Sequence, residues 1–142
     1  MTRSAAGGVT TPARARSDRD RGEVLVTTIM VPFIIIGMML VVQFGLAMYA
    51  RQVVAGAAQD GAATGALQGS SPAAGQAVTD QLVDQSAGHL LNGYSSSVSS
   101  NGDIVTVRAS GNVVKVFALF PTITVSGSGS ATVEEFVPEG GP

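Results

Sequence analysis

Residues 24–48 read VLVTTIMVPFIIIGMMLVVQFGLAM and contain no ionisable side chain. Between Val24 and Leu46 there are fourteen Ile, Leu, Val or Phe residues, which together favour membrane insertion by about 4–8 kcal/mol at helix-centre values. A helix needs about 20 apolar residues to cross the hydrocarbon core of a bilayer. The run is therefore predicted to be a transmembrane helix, and such helices tolerate Pro32 and the interspersed glycines.

Two other interpretations of this run agree less well with its length. A buried core helix would need more surrounding chain than the 142 residues supply. A secretory signal has an apolar stretch of only about 7–15 residues, although Gly45, Leu46 and Ala47 would offer small residues for its cleavage. We therefore expect one uncleaved hydrophobic anchor.

The basic residues are concentrated on one side of the run. Five of the eight lie before residue 22, and Arg51 alone follows closely behind the run. Because cytoplasmic flanks carry the excess of Lys and Arg, the N-terminus is predicted to be cytoplasmic and the C-terminal part to lie outside. The exported part lacks the clustered positive charge that nucleic-acid binding needs, so membrane lipid is the expected partner and nucleic acid is not.

Four segments follow from this pattern. Residues 1–22 are predicted to be a disordered basic cytoplasmic leader, 23–48 the transmembrane helix, 49–138 an exported α+β domain and 139–142 a disordered tail. The Ala-rich stretch after Tyr49 contains no Pro, so it is expected to continue the membrane helix to Leu67.

Small residues mark the predicted helix-packing positions. Gly37 and Gly45 lie in the span, and Ala57, Gly61 and Gly65 recur every four residues beyond it. Small side chains on one face allow another helix or a sheet to approach closely. The second group fits two interpretations equally well, a contact with another subunit and burial against the protein's own domain.

The C-terminal half changes from helical to strand patterning. A short second helix is predicted between a cap at Ser71–Pro72 and a stop at Asn92–Gly93. Asn101–Gly102 predicts a hairpin between strands at 94–100 and 103–109. Further strands are predicted at 112–119 (NVVKVFAL), 122–126 (TITVS) and 131–137 (ATVEEFV), with GSGS at 127–130 as a connection between strands. The expected sheet is antiparallel, with three to five strands.

The residues offer little catalytic chemistry. The chain has no Cys, which excludes disulfides, thiolate nucleophiles and Cys-type metal sites. His89 is predicted to face solvent at the end of the second helix. Asp80 and Asp84 share a helical face without a third partner, and Glu134 and Glu135 point to opposite sides of a strand. We therefore expect no enzyme activity, no metal and no cofactor.

One region is similar to a known family. The matching features are a basic leader ending in Arg21–Gly22, Pro32 ten residues after that Gly, Gln43–Phe44–Gly45 near the end of the span, and Tyr49, Arg51 and Gln52 followed by an Ala-rich helix with AAQDGA at 57–62. In these features the chain resembles the TadE-like family, the pilin-like components of tight-adherence pilus systems. ATVEEFVP at 131–138 is similar to that family's closing strand.

The resemblance implies a non-enzymatic minor pilin or pseudopilin with a pilin-like α+β fold, anchored in the cytoplasmic membrane. It implies partners among other pilin-like subunits and pilus-assembly membrane proteins, and processing by a prepilin peptidase after Gly22, which would leave Glu23 at the new N-terminus. It also allows incorporation into a pilus.

One position departs from the family pattern. The family usually carries Glu five residues after the leader Gly, where this chain has Thr27, while Glu23 occupies the first position. In pilin-like proteins that intramembrane Glu can neutralise the freed amine of a neighbouring subunit, which Thr27 cannot do.

The alternative function is a single-pass, membrane-tethered binding module of the cell envelope, unrelated to pili.

Overall fold

The computed structural model describes residues 7–8, 14–133 and 140. The chain divides into two compact units, Met1–Met38 and Met39–Pro142. The elements are, in order, helix α1 at Arg14–Ala66, helix α2 at Pro72–Ala87, a 3₁₀ turn at Gly88–Leu90, and strands β1 at Leu91–Ser100, β2 at Ile104–Val113 and β3 at Ile123–Thr132. The predicted α+β class is confirmed, with a long apolar helix, a short helix and an antiparallel sheet.

Helix α1 is longer than the sequence predicts at its N-terminal end. It begins at Arg14, so residues 14–22, predicted to be disordered, are helical. Residues 14–21 contain neither Gly nor Pro and include four Arg, a strong helix former, which explains how the helix extends through a charged segment. The predictions for residues 1–6 and 9–13 of the leader lie outside the described residues.

The compact unit that contains the domain begins at Met39, ten residues before the predicted boundary at 49. That boundary concerns the edge of the membrane and stays a prediction. The C-terminal end of α1, at Ala66, agrees with the predicted end at Leu67 to within one residue.

Helix α2 begins as predicted and ends earlier. The Ser71 hydroxyl accepts a hydrogen bond from the Ala74 backbone N–H at 3.2 Å, and Pro72 occupies the first helical turn. The predicted stop at Asn92–Gly93 is wrong, because the helix ends at Ala87 and both residues lie in β1. Gly93, with φ of +61°, lies where the register of β1 against β2 shifts, a backbone irregularity that glycine adopts readily.

The described residues form a three-stranded antiparallel sheet in the order β1-β2-β3. The hairpin at Asn101–Gly102 is confirmed: Gly102 has φ of +96°, and the Asn101 side chain accepts from the N–H groups of Asp103 and Ile104 at 3.1 and 2.8 Å. Only the first two residues of the predicted strand at 112–119 belong to a strand, β2. The predicted GSGS connection is wrong, since residues 127–130 lie inside β3.

Of the predicted strand at 131–137, residues 131 and 132 complete β3, and residues 134–137, with Glu134 and Glu135, lie outside the described residues. The same holds for 139, 141 and 142 of the predicted tail.

The core of the domain lies between the helices and one face of the sheet. It is built almost entirely from small and β-branched side chains: Ala47, Ala50, Val54, Ala57, Ala58, Ala62 and Ala66 of α1, Val83 and Ala87 of α2, and Leu91, Val105, Val107, Ala109, Val113 and Val125 of the sheet. Alanine provides little apolar area, so the backbones must lie close together to exclude water.

Candidate functional site

The apolar segment of α1 presents its large side chains to the surroundings. The helix over Asp20–Ala66 is long and apolar enough to cross a membrane. None of its apolar 18-residue window is buried within the protein. Phe33 is 69% and Val41 73% exposed. A core helix of a soluble protein would have this surface covered, so the segment is a candidate membrane anchor near the N-terminus.

The predicted processing site lies at the start of this segment. Gly22 and Glu23 are both exposed within α1, and a side chain added at Gly22 would meet no other group within 4 Å. Thr27, at the position of the family's Glu, is also exposed, and the hydroxyl of neighbouring Thr28 donates to the Val24 carbonyl at 2.7 Å. The cleavage prediction itself stays a prediction.

The small residues Gly61 and Gly65 of α1 lie against α2 of the same chain. A Cβ atom at Gly61 would overlap Thr79 Oγ1 and come within 2.5 Å of the Gly75 carbonyl oxygen. A Cβ at Gly65 would lie 3.4 Å from the Cα atoms of Gly75 and Pro72, and Gly75 in turn faces the Gly61 carbonyl. The two helices therefore cross at glycine positions, where Gly61 and Gly65 leave room for the backbone of Gly75 and the side chain of Thr79.

Polar groups hold the two helices in this position. Thr79 is fully buried, and its hydroxyl lies 3.1 Å from the Ala57 carbonyl oxygen and 3.0 Å from the Gly75 carbonyl oxygen. Tyr49 donates to the Ser86 carbonyl at 3.2 Å. A buried hydroxyl needs such acceptors, so the Thr79 bond requires close contact between the helices, and the exposed Tyr49 bond adds a second link between them.

The sheet approaches α1 in the same manner, through glycines of β3. A Cβ at Gly127 would come within 2.5 Å of the Ala55 Cα, and a Cβ at Gly129 would overlap the Ala58 carbonyl oxygen and the Gln59 Cα. The alternation of Gly and Ser in 126–130 thus directs glycine to the helix and serine to solvent. The sequence carries a signal for this strand, a strict period of two in a chain with an Ala-rich helix, which the prediction of a connection between strands at 127–130 misses.

Of the five predicted helix-packing residues, Ala57, Gly61 and Gly65 are thus buried within their own domain. Gly37 and Gly45 have a different environment, since a side chain added at either would meet no other group within 4 Å. The surface at these two glycines is open, and their packing role stays a prediction.

A buried glutamine joins the apolar segment to the domain. Gln43 is only 2% exposed, although Val42 and Phe44 on either side are 52% and 65% exposed. Its Nε2 donates to the Val114 carbonyl at 3.2 Å, and its Oε1 accepts from the Val116 N–H at 2.9 Å. The side-chain amide therefore pairs with the backbone after β2 as an adjacent strand would.

Among the acidic residues and the histidine of α2 and the turn after it, Asp80 links α2 to β1, whereas Asp84 and His89 face solvent. Asp80 Oδ1 accepts from the hydroxyls of Tyr94 at 2.9 Å and Ser96 at 2.5 Å, which ties α2 to β1. Burial, and secondly the hydrogen bond to Asp80, raise the pKa of Tyr94 well above its ordinary value. Asp84 and His89 are exposed, as predicted for His89. Over the described parts of the chain, no group of three or more His, Cys, Asp or Glu residues is arranged to hold a metal.

Comparison with known proteins confirms the resemblance over the apolar helix and its continuation. The family model described as TadE-like protein matches residues 27–63. No curated protein and no solved structure matches the chain. The matched stretch includes Gln43 and the helix face that packs against α2 and β3.

Proposed function

We propose, from the TadE-like identity of residues 27–63, that the protein is a non-enzymatic minor pilin or pseudopilin anchored in the cytoplasmic membrane. The observation that carries the proposal is the uncovered apolar surface of α1, on which Phe33 and Val41 are 69% and 73% exposed. Lipid and the apolar helices of other subunits are the natural partners of an exposed apolar helix of this length.

In this proposal the contacts with other subunits involve the apolar part of α1 rather than the small residues Ala57, Gly61 and Gly65. Ala57, Gly61 and Gly65 are already occupied by α2 and the sheet. Gly37 and Gly45 remain open, and small residues in a membrane helix allow a second helix to approach closely.

Substitution of the open glycines tests this role. Gly37→Leu and Gly45→Leu should lower the yield of complexes with other pilus-assembly proteins after detergent extraction, while membrane insertion stays intact. Gly56→Leu is the matched control, because Gly56 lies in the same helix with no atom within 4 Å of an added Cβ and follows the apolar run. Equal complex yields for all three variants would refute the packing role of the two glycines.

The proposed orientation has the N-terminus in the cytoplasm and the domain outside, as the basic leader indicates. A reporter that is active only outside the cytoplasm should function when fused after Pro142 and fail when fused before Arg21. The reverse pattern would contradict the orientation.

The proposal also includes processing of the chain after Gly22. Cleavage would free an amine at Glu23 beside its own carboxylate, an exposed pair of about 1 kcal/mol or less that cannot replace an intramembrane partner. We therefore propose a processed subunit that supports assembly rather than a major fibre subunit. Mass spectrometry of the membrane-extracted protein should find a chain that begins at Glu23. An intact leader in cells with an active prepilin peptidase would mean that the leader only sets the topology.

A second candidate function is a tethered binding module, favoured by the outer face of the sheet. Serines and threonines cover this face around Arg108. A cleft of about 610 Å³ is lined by Arg108 and serines of all three strands, together with Arg51 and Ala55 of α1. Such a surface suits a hydroxyl-rich or anionic partner. Crosslinking in strains with and without the pilus-assembly proteins distinguishes the functions, since a binding module keeps its crosslinked partner in both.

A further inference from the structure

The segment after β2 is an ordered loop with an apolar surface. Residues 114–120, VKVFALF, are here called the apolar loop. Val116, Phe117 and Leu119 are 45%, 46% and 77% exposed. The loop has its own turn, in which the Phe120 N–H donates to the Phe117 carbonyl at 3.1 Å, and the two rings pack with centroids 6.2 Å apart. Its exposed side chains are therefore held on a defined surface.

Gln43 attaches this loop to the apolar segment of α1. The Gln43 amide donates to the Val114 carbonyl and accepts from the Val116 N–H, both within the loop. Leaving a buried amide unpaired costs about 1–3 kcal/mol per group, so the loop makes a glutamine tolerable inside an otherwise apolar run. The loop covers Gln43 and directs its own apolar side chains outward.

The apolar surface of the loop continues the apolar surface of the helix within one compact unit. Val41, Val42 and Phe44 flank Gln43 and are 73%, 52% and 65% exposed. Counted along the chain, Gln43 is the twentieth residue from Val24, and about 20 apolar residues are what a helix needs to cross the hydrocarbon. Gln43 and the loop that it binds thus lie near the outer end of the proposed span, within five residues of its predicted boundary at 48.

We propose that the apolar loop inserts into the outer interface of the same bilayer that α1 spans, with Phe117 and Leu119 among the lipids. The inference rests on the proposed membrane anchoring and not on the pilus role. Irregular backbone exposed to lipid is excluded from the hydrocarbon core, which limits the loop to interfacial depth.

The charge pattern suits this depth. Lys115 is the only ionisable residue between 109 and 133, and it is exposed. A lysine within an interfacial loop keeps its ammonium group at the level of the lipid phosphates while its stem lies along apolar surface. Two points of attachment, α1 and the loop, would fix the orientation of the domain relative to the membrane plane.

The absence of cysteine makes site-specific labelling a direct test. Leu119→Cys is labelled with an environment-sensitive fluorophore in the full-length protein, reconstituted into phosphatidylcholine vesicles with and without lipid that carries a shallow nitroxide quencher. Leu119 is 77% exposed, so the label should leave the fold intact. We expect blue-shifted emission and quenching by the nitroxide lipid.

Two further labelled positions serve as controls. Val31→Cys in the apolar run, measured with lipid whose nitroxide lies deep in the acyl chains, reports membrane anchoring by itself. Ser99→Cys is exposed next to the hairpin, at the opposite end of β2 from the loop, about 33 Å away for ten residues of strand, and its label should not be quenched.

The outcomes separate the loop from the anchor. Quenching at 31 and 119 but not at 99 supports insertion. Quenching at 31 alone overturns the loop proposal and leaves the anchor intact, while no quenching at 31 rejects the anchor as well. A blue shift at 119 that depends on the protein-to-lipid ratio and is insensitive to nitroxide would show that a second copy of the chain covers the loop, which also overturns insertion.

Discussion

Gly61→Ala should destabilise the domain, although alanine is the better helix former. Within α1 the exchange should gain about 1 kcal/mol of helix propensity. The new methyl group, however, would overlap Thr79 Oγ1 and lie 2.5 Å from the Gly75 carbonyl oxygen, a backbone atom that moves only if α2 moves. Overpacking of this kind costs typically about 1–3 kcal/mol.

The displacement of α2 also affects a buried hydrogen bond. The Thr79 hydroxyl would lose its geometry to the Ala57 carbonyl, at a cost of about 1 kcal/mol. Together the losses exceed the propensity gain by about 1–3 kcal/mol. A net loss of about 2 kcal/mol corresponds to roughly 30-fold more frequent opening of the domain, at tenfold for each 1.4 kcal/mol.

Gly56→Ala is the matched control in the same helix. Gly56 is exposed and an added Cβ would meet nothing within 4 Å, so only the propensity gain remains, about 0.5–1 kcal/mol. Hydrogen exchange of the β2 amides, measured by mass spectrometry on the full-length protein in micelles, reports both changes. We expect faster exchange for Gly61→Ala and slightly slower exchange for Gly56→Ala. Equal exchange in the two variants would refute the close crossing of α1 and α2.

Three further predictions follow from the described contacts. Gln43→Leu should leave two backbone groups of the apolar loop unpaired. The opening free energy at the Val116 amide should fall by about 1–3 kcal/mol, which hydrogen exchange measures as faster exchange. Unchanged protection of this amide would contradict the attachment of the loop by Gln43. Gly129→Ala should separate β3 from α1 and lower the midpoint of thermal unfolding, whereas the exposed Ser128→Ala should leave it nearly unchanged; similar midpoints would argue against the close approach. Because the folded-state pKa of Tyr94 is raised, its stabilising contribution is complete below the unfolded value of 10.0 and declines as pH rises above it. Tyr94→Phe should remove that alkaline loss of stability in denaturant titrations, and an unchanged slope would exclude Tyr94 as its source.

The features that the sequence predicts well depend on local chemistry. The apolar run, the Ser71 cap and the Asn101–Gly102 hairpin each follow from a few neighbouring residues, and each is present. The end of α2 was mispredicted because Leu91 fits a helical pattern as well as a strand, and only its pairing with Val113 places it in β1.

The GSGS segment could not be interpreted from local rules because its glycines serve a tertiary purpose. Glycine weakens an isolated strand and is common in linkers, so propensity alone argues against β3. In the fold, Gly127 and Gly129 face the backbone of α1, and any larger residue would push the sheet away. A strict Gly-Ser alternation opposite an Ala-rich helix is therefore a better predictor of such a strand than strand propensity.

The distribution of large apolar residues connects the close packing of the domain with the membrane. Since glycine and alanine bring the backbones together, the core needs few large side chains, and its largest fully buried residues are valines and Thr79. Among residues 14–133, the exposed large apolar residues lie in 24–49 or in the apolar loop, with the two exceptions of Leu67 and Ile104. Isolated exposed apolar residues are ordinary, whereas a continuous exposed set marks a surface that meets lipid or protein. The domain therefore packs through small residues, and its large apolar residues are exposed on α1 and on the apolar loop, which Gln43 links by hydrogen bonds. This distribution suits a domain that contacts the membrane through both segments, as proposed above.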